Sequence, residues 1–171
     1  MRIIAGEFGG RTLRAAKKQS TRPTADRVKE AWMSILQANI AGSRVLDLFA
    51  GSGSLGLEAL SRGAASVDFV ETDRISIDVL RANMSSLGVR TRCRIIPKDA
   101  VRFARKLGPA AYDIVFADPP FRTDHAKRLI DAFRQTPFTQ ILGVEHRASV
   151  HLSGDRTETY GDISITFCYP S

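Results

Sequence analysis

Acidic residues stand at the ends of several apolar segments of this sequence, where their carboxylates could bind the polar groups of a ligand. Glu71 ends one such segment, Asp99 follows a second and Asp118 ends a third. Ligands of open α/β sheets bind at the carboxyl ends of the strands, so these side chains should converge. A carboxylate at Glu71 can accept hydrogen bonds from both hydroxyls of a ribose. Asp99 can accept one from an adenine amino group, opposite the backbone N–H of Ala100. The three acids together predict a nucleoside pocket, although each alone also fits a capping or turn residue.

A fourth acid, Asp47, lies inside the stretch Val45-Leu-Asp-Leu-Phe-Ala-Gly-Ser-Gly-Ser-Leu-Gly56. Residues 45–49 predict a strand that is buried on both faces. Gly51 and Gly53 predict a sharp turn that a ligand can approach closely. The helix that follows, residues 54–62, would direct its free N–H groups toward that turn.

Two ligands fit this stretch, and a tight strand–helix turn without a ligand is the third possibility. Gly51 to Gly56 satisfies the dinucleotide pattern GxGxxG, with Glu71 twenty residues after the first glycine. Asp47 favours another ligand, because its carboxylate would repel a pyrophosphate but attract the methionine end of S-adenosylmethionine (SAM). The stretch resembles motif I of the class I SAM-dependent methyltransferases. This resemblance implies that the cofactor is bound by Asp47, Ala50, Gly51, Ser52, Gly53, Glu71, Thr72, Asp99, Ala100 and Asp118.

The most specific motif is Asp118-Pro119-Pro120-Phe121. It resembles the (D/N)PP(Y/F) motif of methyltransferases that modify exocyclic or amide nitrogens. Such a nitrogen is a poor nucleophile, because its lone pair is delocalised. A carboxylate from Asp118 and the carbonyl of Pro119 could accept its two hydrogens, while the prolines fix the backbone and Phe121 offers a stacking face. The alternative is a rigid Pro-Pro turn after a strand.

The positive charge of the chain is concentrated near its start. The formal net charge is +7, the pI is about 9.9, and residues 1–30 hold eight Lys and Arg against three Asp and Glu. A localised basic arm favours nucleic acid or an anionic membrane as partner, although it also fits a solvated terminus. The sequence has no transmembrane run, no signal-peptide core and no metal-binding cysteine spacing, which favours a protein of the reducing cytoplasm without a metal.

Hydrophobic periodicity predicts an alternation of strands and helices. Thr24 is a candidate N-cap for an amphipathic helix that ends near Gln37. Further strands are predicted at residues 66–71, 94–97, 112–117, 140–144, 157–160 and 163–169, and helices at 77–87, 101–106 and 126–133. The predicted fold is α/β and Rossmann-like: a mostly parallel seven-stranded sheet with a terminal antiparallel hairpin. We predict one domain, residues 1–171, with residues 1–20 appended as a basic hairpin or arm.

The chain resembles the bacterial 16S ribosomal RNA guanine-N2 methyltransferases. Besides motif I and Asp118 to Phe121, the matching pieces are Arg22-Pro-Thr-x-Asp26-Arg27-Val28, Glu71-x-Asp73-Arg74 and Tyr160-Gly-Asp162. The resemblance implies SAM as cofactor, a guanine of small-subunit rRNA as substrate, a small-subunit assembly particle as partner and a monomer away from membranes. It also implies an RNA-binding set of Arg2, Arg11, Arg14, Lys17, Lys18, Arg22, Thr24 and Arg27. Two alternatives stay open: an N-methyltransferase of another RNA, of DNA adenine or of a protein amide, and a non-catalytic RNA-binding module.

Overall fold

The computed structural model describes residues 1–16 and 23–171, with the side chains of residues 1–16 and 25–171. In this part of the chain five α-helices alternate with strands of a seven-stranded sheet. The elements are α1 (Pro23–Ile40), β1 (Arg44–Leu48), α2 (Ser54–Ser61), β2 (Ser66–Val70), α3 (Arg74–Leu87), β3 (Cys93–Ile96), α4 (Ala100–Arg105), β4 (Tyr112–Ala117), α5 (His125–Gln135), β5 (Thr139–Arg147), β6 (Arg156–Tyr160) and β7 (Ile163–Cys168).

The strands lie in the order β3-β2-β1-β4-β5-β7-β6. Strands β1 to β5 pair in parallel, and β7 pairs antiparallel with both β5 and β6. This confirms the predicted mostly parallel sheet with a terminal antiparallel hairpin. The order reverses at β1, because β2 and β4 flank it, and this reversal is where ligands bind in such sheets.

Alternate residues of each strand face opposite sides of the sheet. Val45 and Phe116 pack under α1, α2 and α3, whereas Leu46 and Val115 pack under α4 and α5. Both sides are buried, which explains the continuous apolar runs of the parallel strands. Asp47 follows Val45 by two residues and therefore points to the α1 side.

Helix α1 packs on the sheet through Trp32. The ring of Trp32 meets the rings of Phe116 and Phe167 edge-on, with centroids 5.3 Å and 5.6 Å apart. A side chain at Gly143 in β5 would overlap the Trp32 indole. Glycine at this position therefore lets the indole reach the centre of the sheet.

The N-terminal hairpin is present but short. Arg2 and Thr12 form an antiparallel bridge, and the Ile3 N–H donates to the Arg11 carbonyl at 2.9 Å. Ile3 and Leu13 are buried, so the hairpin belongs to the core of the molecule. The predicted arm is thus in part a packed element, while Lys17, Lys18 and Arg22 lie outside the described residues.

Most element boundaries differ from the sequence-based predictions by a few residues, and those of α1 and β5 have clear structural reasons. Helix α1 begins at Pro23, so Thr24 is a helical residue and the prediction of an N-cap there is wrong. The helix continues to Ile40, which is buried one turn beyond Leu36. Strand β5 runs from Thr139 to Arg147 instead of ending at residue 144, because β7 pairs with it as far as Arg147.

Candidate active site

The turn after β1 is shaped by three residues with positive φ: Phe49 (58°), Gly51 (57°) and Gly53 (88°). Asp47 lies below this turn, 2% exposed, and its Oδ2 accepts a hydrogen bond from the Gly56 N–H at 2.9 Å. The carboxylate thus holds the first turn of α2 against the end of β1. Burial raises the pKa of Asp47 to about 8, the charge of Glu71 adds to this, and the bond from Gly56 opposes it.

Glu71 follows β2 and faces the same turn. Its Oε1 accepts from the Gly51 N–H at 2.8 Å, and its Oε2 accepts from the N–H groups of Thr72 and Asp73 at 2.7 and 3.0 Å. A carboxylate has about four lone-pair sites, so the group keeps capacity for a ligand hydroxyl. Glu71 therefore both fixes the glycine turn and presents an acceptor beside it.

Asp99 lies at the start of α4, across the same opening. Its Oδ1 accepts from the Arg102 N–H at 2.8 Å, which makes it the N-cap of that helix. Asp99, Ala100, Glu71, Thr72 and Gly51 all line a cavity of about 730 Å³. The predicted nucleoside-binding residues are therefore brought together, in a space that suits a small-molecule ligand.

A second, smaller cavity of about 250 Å³ lies on the α1 side of the same turn. Its walls include Asp47 from β1, Asp118 after β4 and Glu145 from β5. Lys29 and Trp32 of α1 close it from above. Of the predicted cofactor residues, Asp47, Ala50, Ser52 and Asp118 line this cavity, whereas Gly53 lines neither of the two cavities.

Asp118 connects the two cavities, because it lines both of them. Asp118 is an exposed residue, although many protein atoms surround its carboxyl group. That crowding, followed by the negative charges of Glu145 and Asp47, raises the pKa of Asp118 well above its usual range. Glu145 accepts a hydrogen bond from the Trp32 Nε1 at 3.2 Å, and burial raises its pKa too.

The segment Asp118 to Phe121 follows directly after β4. Pro119, Pro120 and Phe121 line the larger cavity, and the Thr123 hydroxyl donates to the Pro120 carbonyl at 2.7 Å. The guanidinium carbon of Arg147 lies 5.5 Å from the centroid of the Phe121 ring. One face of Phe121 is thus covered by a cation.

The hairpin is attached to the site through buried polar side chains. Glu58 of α2 is fully buried and accepts hydrogen bonds from the Ile4 and Ala5 N–H groups at 2.9 to 3.2 Å. Lys29 donates to the Arg2 carbonyl at 2.7 Å, and burial lowers its pKa against the opposing charge of Glu58. Asn83 of α3 links the end of the hairpin to the glycine turn. Its side-chain N–H group donates to the carbonyls of Arg14 and Ser52, each at 3.0 Å, and its side-chain oxygen accepts from the Arg14 N–H.

The predicted RNA-binding residues fall into two groups. Arg2, Arg11, Arg14 and Arg27 are exposed, and Arg11 also donates to the Ser86 carbonyl at 2.8 Å. Lys17, Lys18 and Arg22 lie outside the described residues, as does the side chain of Thr24. The four described arginines lie on the hairpin and on α1, and the side chain of Arg11 reaches the end of α3.

Sequence reasoning missed Glu145, Lys29 and Asn83. Glu145 carried a detectable signal, because an apolar strand followed by an acid, as in Val144-Glu145, repeats the pattern that singled out Glu71 and Asp118. Lys29 and Asn83 carried none, since a lysine or an asparagine in an amphipathic helix is ordinarily solvated.

The described ranges, residues 1–16 and 23–171, hold no helix that is long and apolar enough to cross a membrane. No group of three or more His, Cys, Asp and Glu residues within those ranges is arranged to hold a metal ion.

Comparisons with known proteins agree with this geometry. The family described as conserved hypothetical protein 95 matches residues 1–158. The ribosomal RNA small subunit methyltransferase D of Haemophilus influenzae is 40% identical over 76% of this chain and 68% of its own length. The solved structure of the Escherichia coli protein yhhF superposes with a TM-score of 0.84 at 32% identity, over 98% of this chain and 96% of that one.

A more distant structure has the same fold. It is a 16S rRNA N2 methyltransferase of Thermus thermophilus in complex with AdoMet and guanosine, with a TM-score of 0.74 at 18% identity. All of this chain superposes on 49% of that protein.

Proposed function

The chain belongs to the family described as conserved hypothetical protein 95, and from this premise we propose that it transfers a methyl group from SAM to the exocyclic N2 amine of a guanine in 16S ribosomal RNA. The relative named for this class of reaction, ribosomal RNA small subunit methyltransferase D, is 40% identical. The observation that carries the proposal is the position of Asp118-Pro119-Pro120-Phe121 where two cavities meet.

The two cavities match the two ends of SAM in their chemistry. In the larger cavity Glu71 has acceptor capacity for ribose hydroxyls, and Asp99 with the N-terminal N–H groups of α4 can pair with an adenine edge. In the smaller cavity carboxyl groups face Lys29, which suits a group that carries both an ammonium and a carboxylate. When bound, SAM supplies an electrophilic methyl group on a positively charged sulfur.

Asp118 and its neighbours would position the target amine. The Asp118 carboxylate and the Pro119 carbonyl accept the two amine hydrogens, which draws the nitrogen toward tetrahedral geometry. Pro119 and Pro120 hold φ near about −65° and so keep that carbonyl in place. The base stacks on the face of Phe121 opposite Arg147, an interaction worth about 1–3 kcal/mol.

The exposed arginines Arg2, Arg11, Arg14 and Arg27 would contact RNA phosphates and so hold the substrate on this side of the protein. We include Lys17, Lys18, Arg22 and Thr24 in this surface on the basis of the sequence resemblance. We further propose that residues 1–171 act as one domain and as a monomer, on a small-subunit assembly particle. The packing of the hairpin on α2 and α3 supports the single domain.

Mass spectrometry of nucleosides from a deletion strain tests this function. We expect small-subunit rRNA to lose one N2-methylguanosine, and the wild-type gene to restore it while a gene for Asp118→Ala does not. Unchanged N2-methylguanosine in the small subunit would contradict the proposal. A loss in another RNA, in DNA or in a protein amide would assign the enzyme to that substrate instead.

A further inference from the structure

We propose that Glu145 is a specificity-determining residue that makes this site prefer positively charged SAM over the uncharged thioether S-adenosylhomocysteine (SAH). The inference rests on the proposed function, and it concerns a residue that lies outside the Asp118 to Phe121 segment. Its basis is a group of three carboxyls on one side of the sheet.

The sheet register brings these carboxyls together. Asp47 in β1 and Glu145 in β5 both occupy positions that face α1, like Val45 and Ile141 in the same strands. Ala117 of β4 pairs with Val144 of β5, so Asp118, one residue past the end of β4, lies beside Glu145. All three side chains line the cavity of about 250 Å³.

Glu145 is held in this position by α1. The Trp32 Nε1 donates to its Oε2 at 3.2 Å, and Trp32 is fully buried. On the other side β7 presents only the apolar Ile165 opposite Glu145. The carboxyl group therefore stays on the cavity, although Arg147 follows two residues later in the same strand.

The nearby cation does not neutralise the group. Lys29 is 4% exposed, and its ammonium donates to the Arg2 carbonyl at 2.7 Å and to the Ser54 hydroxyl at 3.1 Å. It also lies 3.8 Å from the Glu58 carboxylate. Its charge is therefore shared with the residues that hold the hairpin.

Three carboxyl groups share this small cavity, and the charges of Glu145 and Asp47 oppose the ionisation of Asp118. Burial raises the pKa of Asp47 to about 8 and also raises those of Asp118 and Glu145, and the charge of Glu145 contributes to the shift at Asp118. The ammonium, which SAM and SAH share, would occupy the smaller cavity, whereas the sulfonium of SAM would lie where the two cavities meet, beside Asp118 and its neighbour Glu145. Its positive charge favours the ionised forms of these carboxyl groups. SAM binding should therefore release a proton to solvent, whereas SAH, which lacks the sulfonium charge, should release less.

Calorimetry in buffers of different ionisation enthalpy measures the protons released on binding. With the wild-type protein at about pH 7 we expect SAM to release up to about one proton more than SAH. The ratio of SAM affinity to SAH affinity should then rise by up to about tenfold per pH unit near neutrality. Equal proton release with the two ligands would overturn the role of Glu145 while leaving SAM binding intact, and failure to bind either ligand would overturn the proposed function as well.

Glu145→Gln isolates the contribution of this side chain. Glutamine keeps the size and an oxygen that can accept from Trp32, but it carries no charge. We expect the difference in proton release to fall toward zero and the preference for SAM to drop severalfold. The amine of SAM itself titrates equally with both proteins, so the comparison between variants removes it.

Glu158→Gln is the matched control. Glu158 lies on β6, at the edge of the sheet, where its carboxylate pairs with Arg156 and lines neither cavity. It should behave like the wild type. Thermal unfolding checks that Glu145→Gln is folded. If the folded variant releases as many protons and prefers SAM as strongly as the wild type, the inference is overturned.

Discussion

The acids that follow β2, β3 and β4 differ in the hydrogen bonds that their carboxylate oxygens accept within the protein. Glu71 accepts three backbone N–H bonds and Asp99 caps α4, so both contribute to local structure before any ligand binds. Asp118 instead lies between two cavities beside Glu145. Its contribution should therefore appear in the reaction rate more than in folding.

Replacing Asp118 tests this at the scale of one residue. Asp118→Ala should lower the single-turnover rate by about two to four decades, as expected for a positioned proton-accepting or electrostatic group. SAM and RNA affinities should change only a few-fold, because the group acts on the amine mainly in the transition state. Asp118→Asn keeps the shape and one acceptor oxygen, so it should retain more activity than the alanine variant. The assay is methyl transfer to an undermethylated small-subunit particle, and a near wild-type rate for Asp118→Ala would place the active site elsewhere.

At the scale of elements, the N-terminal hairpin is a structural part of the site. Glu58 is buried with its oxygens on the Ile4 and Ala5 N–H groups, and Asn83 joins Arg14 to Ser52. Removing the hairpin would leave a buried carboxylate without these partners, which is costly. Truncation would therefore confuse loss of RNA binding with loss of stability.

Neutralising exposed arginines is the cleaner test of RNA binding. The double substitution Arg14→Gln and Arg27→Gln should weaken RNA binding. It should also reduce the salt slope, which is the slope of log K against the logarithm of the salt concentration, by about 0.7–0.9 for each phosphate that the protein no longer neutralises. SAM affinity should be unchanged, since neither guanidinium lines the larger or the smaller cavity. Arg156→Gln on β6, the opposite edge of the sheet from β3, is the control. A filter-binding titration across salt concentrations measures the slope, and equal slopes for all proteins would remove this surface from the interface.

The elements themselves were predictable wherever a local pattern specified them. Helix α3 ends at the predicted residue, Leu87, because Gly88 with φ 68° follows it, and β4 spans the predicted residues 112–117. The end of β5 was not predictable, because pairing with β7 sets it and that partner is distant in sequence. Likewise, motif I predicted Asp47, whereas the neighbours of Glu145 depend on the register of β4, β5 and α1.

For the whole molecule, the burial of several acids on one side of the sheet makes stability depend on pH. Asp47 has a pKa of about 8 in the folded protein and about 3.9 in an unfolded chain. Between these values the folded state holds a proton that the unfolded state has released, so stability falls as pH rises. Asp118 and Glu145, whose pKa values are also raised, act in the same direction.

Thermal unfolding of the SAM-free protein checks this dependence. Its Tm should fall between about pH 6.5 and about pH 8, because the free energy of unfolding drops by at most about 1.4 kcal/mol per proton and pH unit. This window avoids His146, whose pKa is lowered by burial and whose effect has the opposite sign at lower pH. Asp47→Asn can still accept from Gly56 and should be more stable than the wild type at the upper end of the window, while binding SAM less tightly. A wild-type Tm that is flat or rising there would contradict the prediction.

The contact of Trp32 with Glu145 gives the protein a natural optical probe. Trp32 is the single tryptophan among the 171 residues, and its indole lines the smaller cavity with its N–H on a carboxyl oxygen. Indole emission is sensitive to nearby charge, and no other tryptophan contributes a background signal. Intrinsic fluorescence should therefore follow both the charge state of Glu145 and the arrival of a ligand in real time, without any label.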